Sequence, residues 1–240
     1  MPLSLRNAET RRSGPRTQPP KRLGGCAHSS FPADGPRVHP TARVIRDAHA
    51  WQVRSKAMPS QARLDLDARL GDVDELIKAH GLITGGGVGR PAQRQGAAVT
   101  RAGVVLLAAA MEGFVEDLYE EAAKILWPNV SAADRKALFD DTSRRLNNAD
   151  VRKTELLYFN IGLPWVLGHI RWQKFPNATF KKSLDELVTK RNQIAHGNKQ
   201  GTAQLGQLRR WKNMVTVYSS RLEAVVAGHI ETVTGSAPNW

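Results

Sequence analysis

Residues 184–197 read L-D-E-L-V-T-K-R-N-Q-I-A-H-G, and this stretch predicts an amphipathic helix with an arginine on its apolar side. Its stripe advances by four, three, four and three residues, the period of an α-helix, through Phe180, Leu184, Leu187, Arg191 and Ile194. Burying an isolated guanidinium costs far more free energy than one helix face returns. Arg191 must therefore be paired or must face a solvated cleft.

Two further polar residues lie at the end of the same helix. Asn192 and His196 are four residues apart, so they stack on one flank, and Gly197 is typical of a C-terminal stop. On a regular helix Arg191 and His196 start roughly 140° apart, which a long arginine or a fraying last turn can close. The sequence therefore predicts that Arg191, Asn192 and His196 converge near one helix end.

The remaining apolar patterns are also helical, and no β-alternation of useful length appears. Three-or-four spacings and capping residues predict helices near residues 60–81, 100–126, 131–146, 150–162 and 205–225, with Ser131 as the cap of the third. The second of these should be the central core helix, and Asn177 is well placed to cap the motif helix. The glycine-rich stretch at 84–96 lacks the Lys-Ser/Thr of a phosphate-binding loop and is interpreted as a flexible connector. The fold class is an all-α bundle of five or six helices, in which the motif helix and the last helix form an αα-hairpin.

The first 57 of the 240 residues differ in composition from the rest. They are rich in Arg, Pro, Gly and Ser and carry 11 basic and 3 acidic residues, a net charge of +8, against +5 for the remainder. This composition predicts a disordered basic arm before a helical domain at 58–240. Two alternatives remain open: Met58 opens the first helical stretch, so residues 1–57 are a mis-called extension, or they form an arm that touches RNA.

Composition also excludes several classes of protein. Cys26 is the only cysteine, so neither an intrachain disulfide nor a cysteine-based metal cluster can form, and a reducing cytoplasm is the natural compartment. The histidines are scattered without a ligand-spaced set, so no metal site is predicted. The best apolar run, residues 104–111, stops at Glu112, well short of the ~20 residues of a spanning helix, so no membrane partner is predicted.

The chemistry of the motif suits cleavage of RNA by its own 2′-hydroxyl. A histidine at a helix C-terminus can exchange protons near neutral pH, so His196 would act as general base or acid. Arg191 would hold the scissile phosphate with its planar fork, and Asn192 would orient either group. No cofactor is required. One Arg and one His are an incomplete acid-base pair, which a symmetric homodimer would complete.

A purely structural reading of Arg191 stands beside the catalytic one, since Arg and His near a helix end are common. Glu112 sits one residue off the apolar stripe of the 100–126 helix, with Glu116 one turn further on the same flank. Glutamates in such positions usually form a solvated face. In this reading Glu112 is instead the buried partner that Arg191 requires.

Residues 191–197, R-N-Q-I-A-H-G, resemble the R-x4-6-H signature of the all-helical HEPN superfamily, and the polar residue after the arginine also fits. The apolar helix ending in Glu112 and the stretch L-L-Y-F-N-I-G-L at 156–163 are similar to helices of the RiboL-PSP-HEPN group. The resemblance covers residues 59–228. It implies an HEPN-like bundle and a metal-independent endoribonuclease, usually dimeric, in toxin–antitoxin, phage-defence or RNA-processing systems.

The resemblance also implies roles and partners. Arg191 and His196 would carry catalysis, Asn192 would assist, and Glu112 would be a structural or electrostatic support. RNA would be the substrate, and an antitoxin protein would be a partner in a toxin pair. HEPN toxins paired with nucleotidyltransferases often have a tyrosine shortly after the histidine; residues 197–199 are G-N-K, so control through such a tyrosine is not supported. The alternative is a non-catalytic HEPN module that binds RNA or a partner protein.

Overall fold

The computed structural model describes residues 58–87, 89–144, 149–170 and 175–240, and the regular structure within these ranges is helical. Eight helices are described: α1 (Gln61–Ile83), α2 (Arg90–Gln95), α3 (Ala97–Leu126), α4 (Ala132–Arg144), α5 (Val151–Asn160), α6 (Val166–His169), α7 (Asn177–Ala195) and α8 (Leu205–Thr234). The all-α prediction is confirmed. The predicted disordered arm at 1–57 lies outside the described residues, and the division at residue 58 stays a prediction.

Two short helices bring the number above the predicted five or six. The six predicted helices correspond to α1, α3, α4, α5, α7 and α8. The additional α2 lies in a stretch that the sequence assigned to a glycine-rich connector, and Pro91 suits its first turn because proline fixes φ near the helical value. The additional α6 has four residues and follows Trp165, whose side chain is exposed and whose backbone φ is positive.

The predicted central position of α3 is confirmed. It packs against α1, α7 and α8 and contributes the fully buried Leu107, Met111, Phe114 and Leu118 to the core. By length and composition α3 is also apolar enough to cross a membrane, with a mean hydropathy of 1.6 over its best window. This corrects the expectation that no segment reaches that length. Half of that window is buried inside the fold, as expected of a core helix.

Carboxylates from two other helices hold the start of α1. The backbone N–H and hydroxyl of Ser60 donate to Glu223 Oε1 on α8, at 2.7 and 2.6 Å. The N–H of Ala62 donates to Glu121 Oε1 on α3 at 2.7 Å. Burial raises the pKa of the Glu121 carboxyl above its ordinary value, although the Ala62 hydrogen bond opposes the shift. These bonds satisfy donors that every helix start leaves without an intrahelical partner.

The start of α7 differs from the sequence prediction. Pro176 occupies the N-cap position, and Asn177 is the first residue of the helix. The Asn177 side chain does not cap α7; its Nδ2 donates to the carbonyl oxygen of Leu167 at 2.7 Å, which ties α6 to α7. Further along, Phe180 packs against Tyr218 of α8 with ring centroids 5.1 Å apart. Large side chains therefore join α7 to α8, while the backbone of α7 approaches α3.

The end of α7 is as predicted. Gly197 has a φ of +64°, the left-handed conformation that glycine adopts without a Cβ penalty. Its N–H donates to Ile194 O at 3.1 Å, and the N–H of Asn198 donates to Gln193 O at 2.9 Å. This pair of bonds is the Schellman arrangement that ends many helices. His196 is thereby fixed as the last residue before the chain leaves the helix.

Candidate active site

Arg191 and Asn192 lie in the last two turns of α7, and His196 is the C-cap residue that follows Ala195. Arg191 Nη1 donates to Asn192 Oδ1 at 3.0 Å, and both side chains are partly buried. The backbone N–H of His196 donates to the carbonyl oxygen of Asn192 at 3.0 Å. Asn192 is thus linked to the arginine through its side chain and to the histidine through the helix backbone.

The imidazole of His196 is exposed at the end of the helix. Within the described residues the ring nitrogens make no hydrogen bond. A histidine that works as a general base needs a partner that fixes its tautomer and ring orientation. The exposed ring is accessible to a substrate or to a second protein copy.

Glu112 lies in a buried charge cluster with a cation that the sequence did not predict. Lys153 of α5 is 3% exposed, and its Nζ lies 3.4 Å from Glu112 Oε1 and also pairs with Glu116. The ion pair that the structure gives Glu112 is with Lys153. The predicted pairing of Glu112 with Arg191 is not tested by this contact and stays a prediction. Lys153 could have been found by the same test as Arg191, since its neighbours one turn on, Leu157 and Tyr158, are also buried.

Two contacts hold α5, which carries Lys153, against α7, which carries Arg191. The N–H of Val151 donates to Asp185 Oδ1 at 3.3 Å, and Lys181 Nζ pairs with Glu155 at 2.9 Å. These contacts lie one to three helical turns before Arg191. The charge cluster and the motif are therefore on elements that pack directly on one another.

A second polar feature was missed in the sequence. Arg90, Arg94 and Arg101 line a cleft of about 510 Å³, and Lys190, next to Arg191, lines it from α7. The arginines lie at a four-three-four spacing that passes through Ala97, and this spacing was the signal that could have revealed them. It was missed because the glycine-rich stretch before Arg90 was assigned to a connector.

The described ranges contain no group of three or more His, Cys, Asp or Glu side chains that could hold a metal ion. The groups that the site offers are therefore a guanidinium, a carboxamide and an imidazole. A guanidinium can stabilise negative charge on phosphate oxygens, and an imidazole can transfer a proton. That set suits the transfer of a phosphoryl group to a hydroxyl.

The family model described as RiboL-PSP-HEPN matches residues 66–227, more than half of the 240 residues. The match begins within α1 and ends within α8, and it includes Glu112, Lys153, Arg191, Asn192 and His196. The match agrees with the resemblance predicted from the R-x4-H motif. Comparison with curated proteins and with solved structures finds no match.

Proposed function

The chain belongs to the RiboL-PSP-HEPN family, and on that premise we propose that it is a metal-independent endoribonuclease. HEPN domains are often ribonuclease-like. The observation that carries the proposal is the polar end of α7, where Arg191 and Asn192 share a hydrogen bond in the last two turns and the exposed His196 is the C-cap. RNA supplies the nucleophile itself, so the protein needs only to hold a phosphate and move protons.

In the proposed reaction His196 accepts the proton of a ribose 2′-hydroxyl as that oxygen attacks the adjacent phosphorus. The bond from phosphorus to the 5′-oxygen breaks, leaving a 2′,3′-cyclic phosphate on one product. In the dimer proposed below, His196 of the partner subunit donates a proton to the departing oxygen, which becomes the 5′-hydroxyl of the other product. Arg191 stabilises the charge that develops on the phosphoryl oxygens, and Asn192 keeps the guanidinium oriented through the 3.0 Å bond.

Cleavage is expected to persist in excess EDTA, because the proposed steps use only protein side chains and the 2′-hydroxyl. The substrate is a labelled single-stranded RNA, and mass spectrometry of the products should show the 2′,3′-cyclic phosphate end. A matched RNA carries one 2′-deoxy nucleotide on the 5′ side of the main cleaved bond. Loss of activity in EDTA, or unchanged cleavage at the deoxy position, would contradict the mechanism.

We further propose that the active species is a symmetric homodimer. One imidazole cannot be both the base and the acid of a single step, and each protomer offers one histidine at this site. The exposed ring of His196 supports this proposal, because a second copy can reach it. Light scattering should give twice the 26.4 kDa mass. Excess His196→Ala protein should lower activity per wild-type protomer, and undiminished activity in a monomer would refute the dimer.

The cellular role that we propose is cytoplasmic RNA cleavage in a toxin–antitoxin, phage-defence or RNA-processing system, with an antitoxin protein as partner in the toxin case. Induced expression should then arrest growth, and His196→Ala should relieve the arrest. A second candidate function is an RNA-binding module without catalysis, which the cationic cleft beside α7 favours. In that case Arg191→Ala and His196→Ala leave RNA binding intact, and neither wild type nor variants cleave RNA.

A further inference from the structure

The cationic cleft lies between the α2–α3 junction and the start of α8. Four of its lining residues are cations, namely Arg90, Arg94, Arg101 and Lys190, and no carboxylate is among the described residues that line it. The polar remainder consists of three glutamines and a threonine, which are neutral hydrogen-bonding groups. Four like charges around a cleft of about 510 Å³ repel one another, so the cleft favours an anionic occupant.

One wall of the cleft is a continuous stripe that crosses from α2 into α3. The helices meet at Gly96, where an added Cβ would lie 2.1 Å from Nε2 of the buried His80. This close approach seats the junction on the end of α1. Arg94 and Arg101 are consequently held on one face, about two helical turns apart.

The facing wall is also ordered. Lys190 Nζ donates to Gln193 Oε1 at 3.0 Å and to the carbonyl oxygen of Gln200 at 2.9 Å. The second bond ties α7 to the loop that leads to α8. Gly201 in that loop is buried, and an added Cβ would lie 2.9 Å from the Gln193 carbonyl oxygen. An anion entering the cleft therefore meets a Lys190 ammonium that is already positioned, which lowers the entropy cost of binding.

A neighbouring cleft shows that the uncompensated charge is specific. It shares Lys190 with the first cleft, but its lining also includes Lys182, Asp185 and Glu186, so its charges balance. Both clefts lie along α7 and have similar volumes, about 510 and 520 Å³. Of these two, only the cleft lined by Arg90, Arg94 and Arg101 has a positive excess.

We propose that the cationic cleft binds the phosphodiester backbone of the RNA strand next to the bond that is cleaved. Its identity as a substrate site rests on the proposed function. Arginine forks match phosphate oxygens, and the lining residues that the structure describes include no aromatic ring on which a base could stack, so we expect recognition mainly of the backbone. His196 and the lining residue Thr202 are six residues apart, at most about 22 Å, so one strand can reach both.

The test measures binding of a labelled 20-nucleotide single-stranded RNA by fluorescence anisotropy, in a His196→Ala background so that the RNA stays intact. The cleft variant carries Arg94→Gln and Arg101→Gln. The control carries Lys124→Gln and Lys136→Gln, which remove the same charge elsewhere. Lys124 lies on α3 itself, about 35 Å from Arg101, and the Lys136 side chain is 72% exposed on α4.

The cleft variant is expected to raise the Kd at least about tenfold at 0.1 M salt, and the control less than about twofold. The salt dependence should change as well, because each lost phosphate contact lowers the slope of log K against log salt by about 0.7 on a single strand. A DNA strand of the same sequence should lose affinity equally, since phosphates and not 2′-hydroxyls are bound.

Equal weakening by the cleft and control variants, or a loss seen with RNA but not with DNA, would overturn the cleft proposal. Absence of RNA binding by the parent protein would overturn it too. The cleft and the proposed function fail separately. If the wild type does not cleave RNA but the cleft variant binds RNA more weakly than the control, the proposed function fails and the cleft proposal stands. If the wild type cleaves RNA, and Arg94→Gln with Arg101→Gln changes neither cleavage in the wild-type background nor binding in the His196→Ala background, the cleft proposal fails and the proposed function stands.

Discussion

Replacing His196 by alanine is expected to slow RNA cleavage by about 10²- to 10⁴-fold, the usual contribution of a positioned general acid or base. The side chain is exposed and lies at a helix end, so the free energy of unfolding should change by less than about 0.5 kcal/mol. Single-turnover rates on a defined RNA and a parallel urea titration measure the two quantities. A large loss of rate without a loss of stability is the signature of a catalytic group.

His169→Ala is the matched control, because His169 is also an exposed histidine in the last turn of a helix, α6. Its cleavage rate should stay within about twofold of wild type, as a substitution away from the site should do. Equal rates for His196→Ala and wild type would remove His196 from the mechanism. Equal losses in both variants would point to a general effect of removing surface imidazoles.

The companion substitution Arg191→Lys separates charge from geometry. Lysine keeps the positive charge but lacks the planar fork, and its single ammonium replaces the guanidinium that bonds Asn192 at 3.0 Å. A catalytic Arg191 therefore predicts a rate loss in this variant that resembles the loss in Arg191→Ala. Full activity of Arg191→Lys would mean that only charge is needed, as in a structural ion pair.

Replacing Lys153 by methionine is expected to lower the free energy of unfolding by about 3–5 kcal/mol, the largest stability effect that we predict. Lys153 is 3% exposed and lies between the carboxylates of Glu112 and Glu116. Removing the cation leaves two like charges close together and partly buried. Urea denaturation followed by circular dichroism measures the loss.

A rescue variant and a matched lysine make this prediction specific. Adding Glu112→Gln and Glu116→Gln to Lys153→Met removes the uncompensated charges and should restore much of the stability. Lys181→Met breaks the ion pair with Glu155, in which the lysine side chain is 32% and the glutamate side chain 17% exposed. It should cost about 1–2 kcal/mol, less than Lys153→Met, because it leaves one carboxylate unpaired and not two. If Lys153→Met were no more destabilising than Lys181→Met, the cluster would contribute no special stability.

Features written in local sequence were the predictable ones. The apolar period of α3, the cap at Ser131, whose hydroxyl accepts the N–H of Asp134 at 3.1 Å, and the stop at Gly197 each depend on residues within a few turns. The family followed from the same kind of signal, because its motif and its Glu-bearing helix are contiguous strings. The roles of Arg191, Asn192 and His196 stay predictions.

Features that depend on distant residues were not predictable. Glu112 and Lys153 are 41 positions apart, and their pairing follows from how α5 packs on α3. Asn177 was a plausible cap by residue type, but the carbonyl of Leu167 lies within reach and takes its side chain. The arginine stripe of the cationic cleft was missed because it crosses Gly96 from α2 into α3, and a search for helical spacing within a single helix stops at that boundary.

The stop at Gly197 also determines how the Arg191 side chain is oriented relative to His196 around the axis of α7. The glycine fixes where α7 ends, so His196 stays at the C-cap even if the sequence before it changes in length. Arg191 is instead placed by rotation, and one residue inserted between it and the glycine would turn its side chain by about 100° around the helix axis. The number of residues between arginine and histidine therefore fixes the angle between their side chains around the helix axis, and Gly197 fixes the end of the helix from which that angle is measured.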